Sequence, residues 1–302
     1  MKAGREERGS RCHEEQKVPV FFLSPSWAVA FHGRQQPDRL IRKQPPTAAS
    51  RPDFYQDFYR SGEKGLGKVR RIQARKLLSA SREYLSNAAR ALDIGCGTGE
   101  WVRLCREWFP AVEIRGLDPA VEEKKGLWIR DDLFSFIRNN PGLHHTFDFI
   151  ILVDVFEHFS DAQKAAAGVR LLLQEKGIVL VKVPNKDARI YRLARGIRVL
   201  FPRLARVVLA RFYQIHFPPP HYYYYNRPSL EKTWARCGFT PLKARYVSET
   251  PLTALWQRVW GVGAMAKPLI ILGLLGIRLF AVGRGSDSLA MWLQSDPGGS
   301  NG

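Results

Sequence analysis

Three glycines and two acids have the types and spacing that point most directly to chemistry. Gly95, Gly97 and Gly99 follow the apolar run "ALDI", and Asp93 lies just before them. Bare backbone between a strand and a helix lets part of a ligand lie close to main-chain N–H groups. Asp118 ends the next apolar run, nineteen residues after Gly99, and a carboxylate there can accept hydrogen bonds from ribose hydroxyls. The pattern predicts a nucleotide-type cofactor.

The spacing of the glycines separates two classes of cofactor. A dinucleotide fingerprint reads G-x-G-x-x-G, whereas this turn reads G-x-G-x-G and has Glu100 where the third fingerprint glycine would be. NAD is therefore disfavoured, although Asp118 alone would suit it.

A second group of polar side chains follows the buried apolar run "FDFIILV". Asp154, Glu157 and His158 lie in "DVFEHF", just past that run. Because imidazole titrates near neutral pH, His158 is a candidate base for an acceptor hydroxyl. The same three side chains could instead hold a divalent metal that lowers the pKa of a hydroxyl. A third interpretation is that Glu157 and His158 only brace the loop.

Alternating strands and helices must position these residues. Apolar runs predict strands at 90–94, 111–117, 127–129, 147–153 and 177–183. An amphipathic helix is predicted at 99–109. Another is predicted to begin at "SDAQ", with Ser160 as its cap and Gln163 returning the bond, and to run to about Leu173. This order predicts an α/β fold with a doubly wound parallel sheet, whose ligands bind outside the carboxyl ends of the strands.

Several stretches together resemble one known family. "LDIGCGTG" resembles motif I of the class I S-adenosylmethionine-dependent methyltransferases. "FDFIILVDVFEHFSD" is similar to the fourth-strand motif of the subgroup that methylates quinone precursors, sugars and other small acceptors. "GIVLVKVPN" and "RPSLEKTWARCGF" resemble its fifth strand and next helix, and "SDSLAMWL" its last strand. The resemblance covers roughly residues 86–250. It implies a mostly parallel, seven-stranded Rossmann-like sheet with S-adenosylmethionine as the cofactor.

The resemblance also implies roles for individual residues. The methionine part of the cofactor would be held by Asp93 and by the backbone of Gly95, Cys96, Gly97, Thr98 and Gly99. Asp118 would hold the ribose. Asp132 with Leu133 would hold the adenine edge, with Asp131 as the substitute for Asp132.

The stretch "HYYYYN" falls where this family closes its acceptor pocket. His221, Tyr222 and Tyr224 are therefore candidate substrate contacts. Two other interpretations stay open, namely a stacking platform for RNA bases and a tyrosine-rich strand packed beside the core.

The net charge of +19 predicts an anionic partner, either nucleic acid, an anionic membrane surface or an acidic substrate. Two absences argue against nucleic-acid bases. The fourth strand lacks the Asn/Asp-Pro-Pro-aromatic motif of enzymes that methylate base amines, and no Pro-Cys nucleophile follows a strand.

The cysteines, Cys12, Cys96, Cys105 and Cys237, are scattered, so they suggest neither a zinc site nor a disulfide framework and favour a reducing cytoplasm.

Composition divides the chain into three parts. Residues 1–50 are basic and rich in proline, and we expect them to be disordered. The resemblance implies a methyltransferase domain at residues 51–250, and we expect a basic, apolar helical insertion in it at about 186–226, after the fifth strand. Residues 251–302 contain an apolar helical segment, the last strand and a flexible tail. The apolar stretch before Arg278 is shorter than the roughly 18 residues that would span a bilayer, so it dips into a leaflet or packs as a lid.

The insertion has the pattern of an interfacial helix. From Ala188 to Leu230 there are eight arginines and no acid. On a helix one face would be apolar, with Ile190, Leu193, Ala194, Ile197, Leu200, Phe201, Leu204 and Val208. The opposite face would carry Arg189, Arg192, Arg195, Arg198, Arg203 and Arg206. Such a helix lies in a membrane interface, or else packs as an apolar lid on the protein's own core.

These observations predict a methyltransferase that acts on an oxygen of a small-molecule or lipid-linked acceptor. We expect it in the cytoplasm, peripheral at the inner membrane face. An RNA methyltransferase and a catalytically inactive, methyltransferase-like binding protein are the alternatives.

Overall fold

Seven strands form one sheet in the part of the chain that the structure describes. The structure is a computed structural model that describes residues 70–121, 127–189, 221–248 and 283–297, together with Arg192, Leu272, Leu275 and Gly276. The predictions for residues 1–50, for most of the insertion and for almost all of the apolar segment lie outside the described residues. Of the predicted interfacial helix, Arg189 and Arg192 are described, and both are helical and exposed.

Strands occur at the five predicted apolar runs and at the predicted last strand, and one further strand, at 239–247, was not predicted. The strands are β1 Arg90–Ile94, β2 Glu113–Leu117, β3 Trp128–Ile129, β4 Phe147–Val153, β5 Leu173–Pro184, β6 Phe239–Val247 and β7 Ser288–Ser295. Their order across the sheet is β3-β2-β1-β4-β5-β7-β6. The first five are parallel, and β7 runs antiparallel to both β5 and β6. The predicted fold class, a mostly parallel, doubly wound seven-stranded sheet, is therefore confirmed.

Helices pack on both faces of this sheet. They are α1 at 70–80, α2 Arg82–Leu85, α3 Glu100–Trp108, α4 Leu133–Asn139, α5 Ala162–Leu172 and α6 Arg227–Ala235. Among the described residues, none of the helices is long and apolar enough to cross a membrane.

The start of α5 corrects the predicted cap. Asp161, not Ser160, is the N-cap residue, and its Oδ1 accepts a hydrogen bond from Lys164 N at 3.0 Å. The backbone of Asp161 is extended, and this conformation points its carboxylate at the open end of the helix. The Ser160 carbonyl accepts a hydrogen bond from the Tyr223 hydroxyl at 3.0 Å, which ties this loop to the stretch before α6.

The middle strand explains why residues 149–152 of "FDFIILV" are apolar without alternation. In β4, Phe149 and Ile151 belong to the core on one face of the sheet, and Ile150 and Leu152 to the core on the other face. All four are fully buried. A strand covered on both faces has no solvent side there, so these four consecutive positions are all apolar. Since β1 and β4 are neighbours, the loops after their carboxyl ends lie side by side where the strand order reverses.

Candidate active site

The loop between β1 and α3 is a left-handed turn built on three glycines. Gly95, Gly97 and Gly99 have φ values of 71°, 51° and 74°. L residues with a side chain seldom adopt such values. Gly99 occupies the cap position of α3, so the turn delivers the chain directly into that helix.

Two of these glycines are required by the protein's own packing. A Cβ at Gly95 would collide with the side chain of Val155, in the loop after β4. A Cβ at Gly99 would collide with the indole of Trp128, which also lies against Gly116. The sequence-based explanation for the glycines was a closely approaching ligand. In the structure, Val155 and Trp128 already exclude a side chain at Gly95 and Gly99, respectively. The Gly95–Val155 contact also couples the cofactor turn to the loop that carries Glu157 and His158.

Asp118 closes the glycine turn from the end of β2. It is 4% exposed, and its two carboxylate oxygens accept hydrogen bonds from Gly97 N at 2.9 Å and Ala120 N at 2.8 Å. The acid predicted to hold the ribose therefore lies against the middle of the turn predicted to hold the methionine part.

The surroundings of Asp93 suit a cofactor that carries a positive charge. Its side chain is 2% exposed, and Oδ2 has no hydrogen-bond partner among the described residues. Burial, together with the negative charge of Asp118, raises the pKa of the Asp93 carboxyl well above its ordinary value. The ammonium group of a bound methionine part would give Oδ2 a partner and favour the ionised carboxylate.

The remaining predicted cofactor residues lie in this turn and at the start of α4. Cys96 is buried with Sγ against Gly116, Thr98 is half-buried, and Leu133 is part of the core. Asp132 caps α4, with Oδ1 accepting hydrogen bonds from Phe134 N and Ser135 N. These bonds lower the pKa of the Asp132 carboxyl, against the opposing effect of its partial burial. The predicted contact of Asp132 with adenine stays a prediction.

Asp154 pairs with a residue that the sequence analysis missed. Lys182 lies on β5 with a fully buried side chain, and its Nζ lies 2.7 and 2.8 Å from the two Asp154 oxygens. Asp154 N also donates to the Lys182 carbonyl at 2.9 Å, and Asp154 has a left-handed φ of 58°. A lone lysine in the apolar run "IVLVKV" was the available clue, because a buried ammonium needs an anion nearby. The pair anchors the start of the loop after β4.

Lys182 is buried whereas Asp154 is about half exposed, so we expect removal of the Asp154 charge to cost more stability than removal of the Lys182 charge. We expect Asp154→Asn to lower the free energy of unfolding by roughly 1 to 3 kcal/mol, because it removes the carboxylate that balances a buried ammonium. Lys182→Met should lower it by less than about 1.5 kcal/mol, since the chain volume is nearly kept and the remaining Asp154 side chain, 48% exposed, is solvated. Asparagine tolerates a left-handed φ, so backbone strain does not confound the comparison. Urea unfolding at neutral pH measures both values, and a reversed order would contradict this account.

Glu157, His158 and His221 converge beside the cofactor turn. Glu157 and His158 belong to a short 3-10 helix, Phe156–His158, and His221 belongs to the stretch before α6. Tyr222 N donates to the Glu157 carbonyl at 2.8 Å, which joins the two segments. The rings of His158 and His221 have centroids 4.8 Å apart, and His221 Nε2 lies 3.9 Å from Glu157 Oε1.

His221 is a neutral imidazole at neutral pH. Burial, and to a smaller extent the charge of His158, lowers its pKa to about 3. Its contact with the buried Glu157 carboxylate is therefore not an ion pair at neutral pH. The side chain is 5% exposed, and Nδ1 has no hydrogen-bond partner among the described residues.

The tyrosines of "HYYYYN" divide between the site and the core. Tyr225 is 4% exposed, packs on Phe156 and bridges to Asn185 next to β5. Tyr223 stacks on Tyr225, with ring centroids 5.9 Å apart. Tyr224 packs edge-on against the His221 ring, and Tyr222 reaches the site through its backbone. The structure thus combines the core interpretation of this stretch with a place beside the candidate site.

Comparison with known proteins identifies the family. The sequence model of the methyltransferase-domain family matches residues 67–244, more than half of the chain. This range includes the glycine turn, Asp118 and the Glu157–His158–His221 cluster.

Two curated relatives are similar over shorter stretches. A malonyl-[acyl-carrier protein] O-methyltransferase of Halalkalibacterium halodurans is 30% identical over 138 residues, which are 41% of this chain and 51% of the relative. A demethylmenaquinone methyltransferase of Thermotoga maritima is 30% identical over 112 residues, 34% of this chain and 48% of the relative. The chain therefore spans about half the length of these curated relatives.

A solved structure shares the fold at low sequence identity. It is the 1,6-didemethyltoxoflavin-N1-methyltransferase of Burkholderia thailandensis, with bound 1,6-didemethyltoxoflavin and S-adenosylhomocysteine. The match covers 85% of this chain and 94% of that one, with 14% identity and a TM-score of 0.51. The family match, the fold and the acids around the glycine turn agree, so the chain belongs to the class I S-adenosylmethionine-dependent methyltransferases, and S-adenosylmethionine is its cofactor.

Proposed function

We propose that this protein transfers a methyl group to a hydroxyl oxygen of a small-molecule or lipid-linked acceptor at a membrane surface. The observation that carries the proposal is the Glu157–His158–His221 cluster. Glu157 and His158 lie in the loop after β4, which meets the cofactor turn at the Gly95–Val155 contact. A methyl acceptor that carries a proton needs a group that takes or weakens that proton.

The chain's own residues divide the work between donor and acceptor. When bound, S-adenosylmethionine supplies a methyl group already activated by its sulfonium. Asp93 binds the ammonium of the donor, Asp118 binds the ribose, and the glycine turn holds the methionine part. The cluster acts on the acceptor hydroxyl, whose oxygen must be held about 3 to 3.5 Å from the methyl carbon. His221 and Tyr224 line the acceptor side, because they pack on each other beside His158.

The names of the relatives support this class of acceptor. One relative is an O-methyltransferase for malonyl-[acyl-carrier protein], and the other is a demethylmenaquinone methyltransferase. Neither name refers to nucleic acid. In this proposal the large positive charge of the chain attracts the protein to an anionic membrane surface.

Vesicle sedimentation tests the membrane part of the proposal. Each basic side chain near an anionic surface contributes about 1 kcal/mol before salt screening, while insertion of Leu200, Phe201 and Leu204 is insensitive to salt. We expect binding to vesicles containing phosphatidylserine that weakens but persists in high salt. Reversing Arg192, Arg195 and Arg198 to glutamate should reduce it, with activity on a soluble acceptor retained. Protein that stays in the supernatant at low salt would leave only the lid interpretation.

Transfer of a radiolabelled methyl group tests the acceptor. The protein is incubated with labelled S-adenosylmethionine and cell extract, and lipid, RNA, protein and small-molecule fractions are then separated. We expect label in the lipid or small-molecule fraction. Label in RNA alone would overturn the proposal in favour of an RNA methyltransferase. Label in no fraction would favour a methyltransferase-like binding protein.

A further inference from the structure

Glu157, His158 and His221 offer three metal-ligand atoms that lie within 4.8 Å of one another. The side chains of Glu157 and His221 are 1% and 5% exposed, and His158 is half-buried. Two imidazoles and one carboxylate are a ligand set found in three-ligand zinc sites. Zinc–nitrogen and zinc–oxygen bonds of about 2.0 to 2.2 Å place tetrahedral ligands roughly 3.4 Å apart. Side-chain rotations that move the ligand atoms by about 1 Å would therefore bring all three within bonding distance of one ion.

The backbone and the neighbouring rings already hold these side chains together. The hydrogen bond from Tyr222 N to the Glu157 carbonyl fixes the two segments at 2.8 Å, so the donors converge without an ion. The edge-on contact with Tyr224, at 5.6 Å between centroids, orients the His221 ring. His221 Nδ1 is buried without a hydrogen-bond partner among the described residues, whereas buried polar atoms normally have one.

The structure replaces one member of the metal set that the sequence suggested. Asp154 is adjacent to Glu157 and His158 in sequence, but both its oxygens contact the buried Lys182 ammonium. An anion paired in this way is a poor ligand for a second cation. His221 lies 63 residues from His158 in sequence, yet its ring packs against the His158 ring.

We propose that Glu157, His158 and His221 bind a divalent transition-metal ion of the zinc type. Imidazole ligands favour zinc and its first-row neighbours over magnesium and calcium, which prefer oxygen ligands. Three protein ligands leave a coordination position open. An acceptor hydroxyl bound at that position would have a lowered pKa. This role of the ion rests on the proposed function.

Cobalt titration tests the site without donor or acceptor. Tag-free protein is dialysed against chelator and titrated with Co²⁺, whose visible absorption reports its coordination by protein ligands. We expect saturation at one equivalent and displacement by Zn²⁺. His221→Ala should weaken Co²⁺ binding at least about 100-fold, since losing a direct ligand exceeds the roughly 10- to 100-fold effect of outer partners. His221→Gln serves as a second variant that keeps the side-chain volume.

Two control variants decide between ligand sets. Asp154→Asn should weaken Co²⁺ binding by less than about 10-fold, because Asp154 supports the loop through Lys182 and is not a ligand. His144→Ala should bind Co²⁺ like the parent, because His144 contacts the Ile137 carbonyl outside the site. The proposal would be overturned if the parent bound no Co²⁺ saturably, or if folded His221→Ala and His221→Gln bound it as tightly as the parent does. It would also be overturned if Asp154→Asn lost as much Co²⁺ affinity as the two His221 variants. Parental Co²⁺ binding without methyl transfer to any fraction would sink the proposed function and leave the metal site standing.

Discussion

Gly97→Val is expected to abolish S-adenosylmethionine binding. Gly97 lies at the centre of the turn, and its N–H donates to Asp118, so a side chain there adds bulk beside the acid that we propose to bind the ribose. A β-branched residue at φ 51° also strains the backbone by about 1 to 3 kcal/mol. Isothermal calorimetry on parent and variant measures the loss, and thermal unfolding checks that the variant is folded.

Two further variants separate the cofactor effect from strain. Gly97→Asn tolerates the left-handed backbone, so its loss of donor affinity reports the side chain alone. Gly142→Val adds the same side chain at an exposed turn, where an added Cβ meets no atom within 4 Å, and should bind the donor like the parent. Parental affinity in Gly97→Val, or tight NAD binding by the parent, would show that the turn has been misinterpreted.

His158→Ala is expected to lower turnover by roughly 10²- to 10⁴-fold with almost no change in donor affinity. The ring of His158 packs on that of His221. Under the proposed function its loss removes help with the acceptor proton and leaves Asp93 and Asp118 intact. Turnover is measured with the acceptor fraction that takes up label, and donor affinity by calorimetry.

A matched histidine variant controls for loss of packing. His144→Ala also removes a half-buried imidazole, but one that contacts the Ile137 carbonyl away from the site, and its turnover should match the parent's. If His158→Ala keeps near-parental turnover, His158 only braces the loop after β4. A parallel loss of donor affinity and turnover would instead place the effect on the cofactor turn through Val155.

The fold class and the cofactor turn could be predicted from the amino-acid pattern alone. Runs such as "FDFIILV" can be strands only if both faces are covered, and this condition led directly to a parallel sheet with helices on both sides. Backbone geometry at Gly95, Gly97 and Gly99 is local, so glycine spacing was sufficient to predict the turn. Asp93 is the last residue but one of β1 and Asp118 directly follows β2, and the carboxyl ends of parallel strands meet at one edge of the sheet.

Tertiary structure decided which distant side chains meet. The pairing of Asp154 with Lys182 depends on the register of β4 against β5, and the approach of His221 to His158 depends on how the stretch before α6 lies across the loop after β4. Even the reason for glycine at two turn positions, the bulk of Val155 and Trp128, lies in other elements. Contacts between residues far apart in the chain are set by packing, and no local pattern encodes them. For this reason the metal ligands suggested by adjacency in "DVFEH" differ from those that the fold brings together.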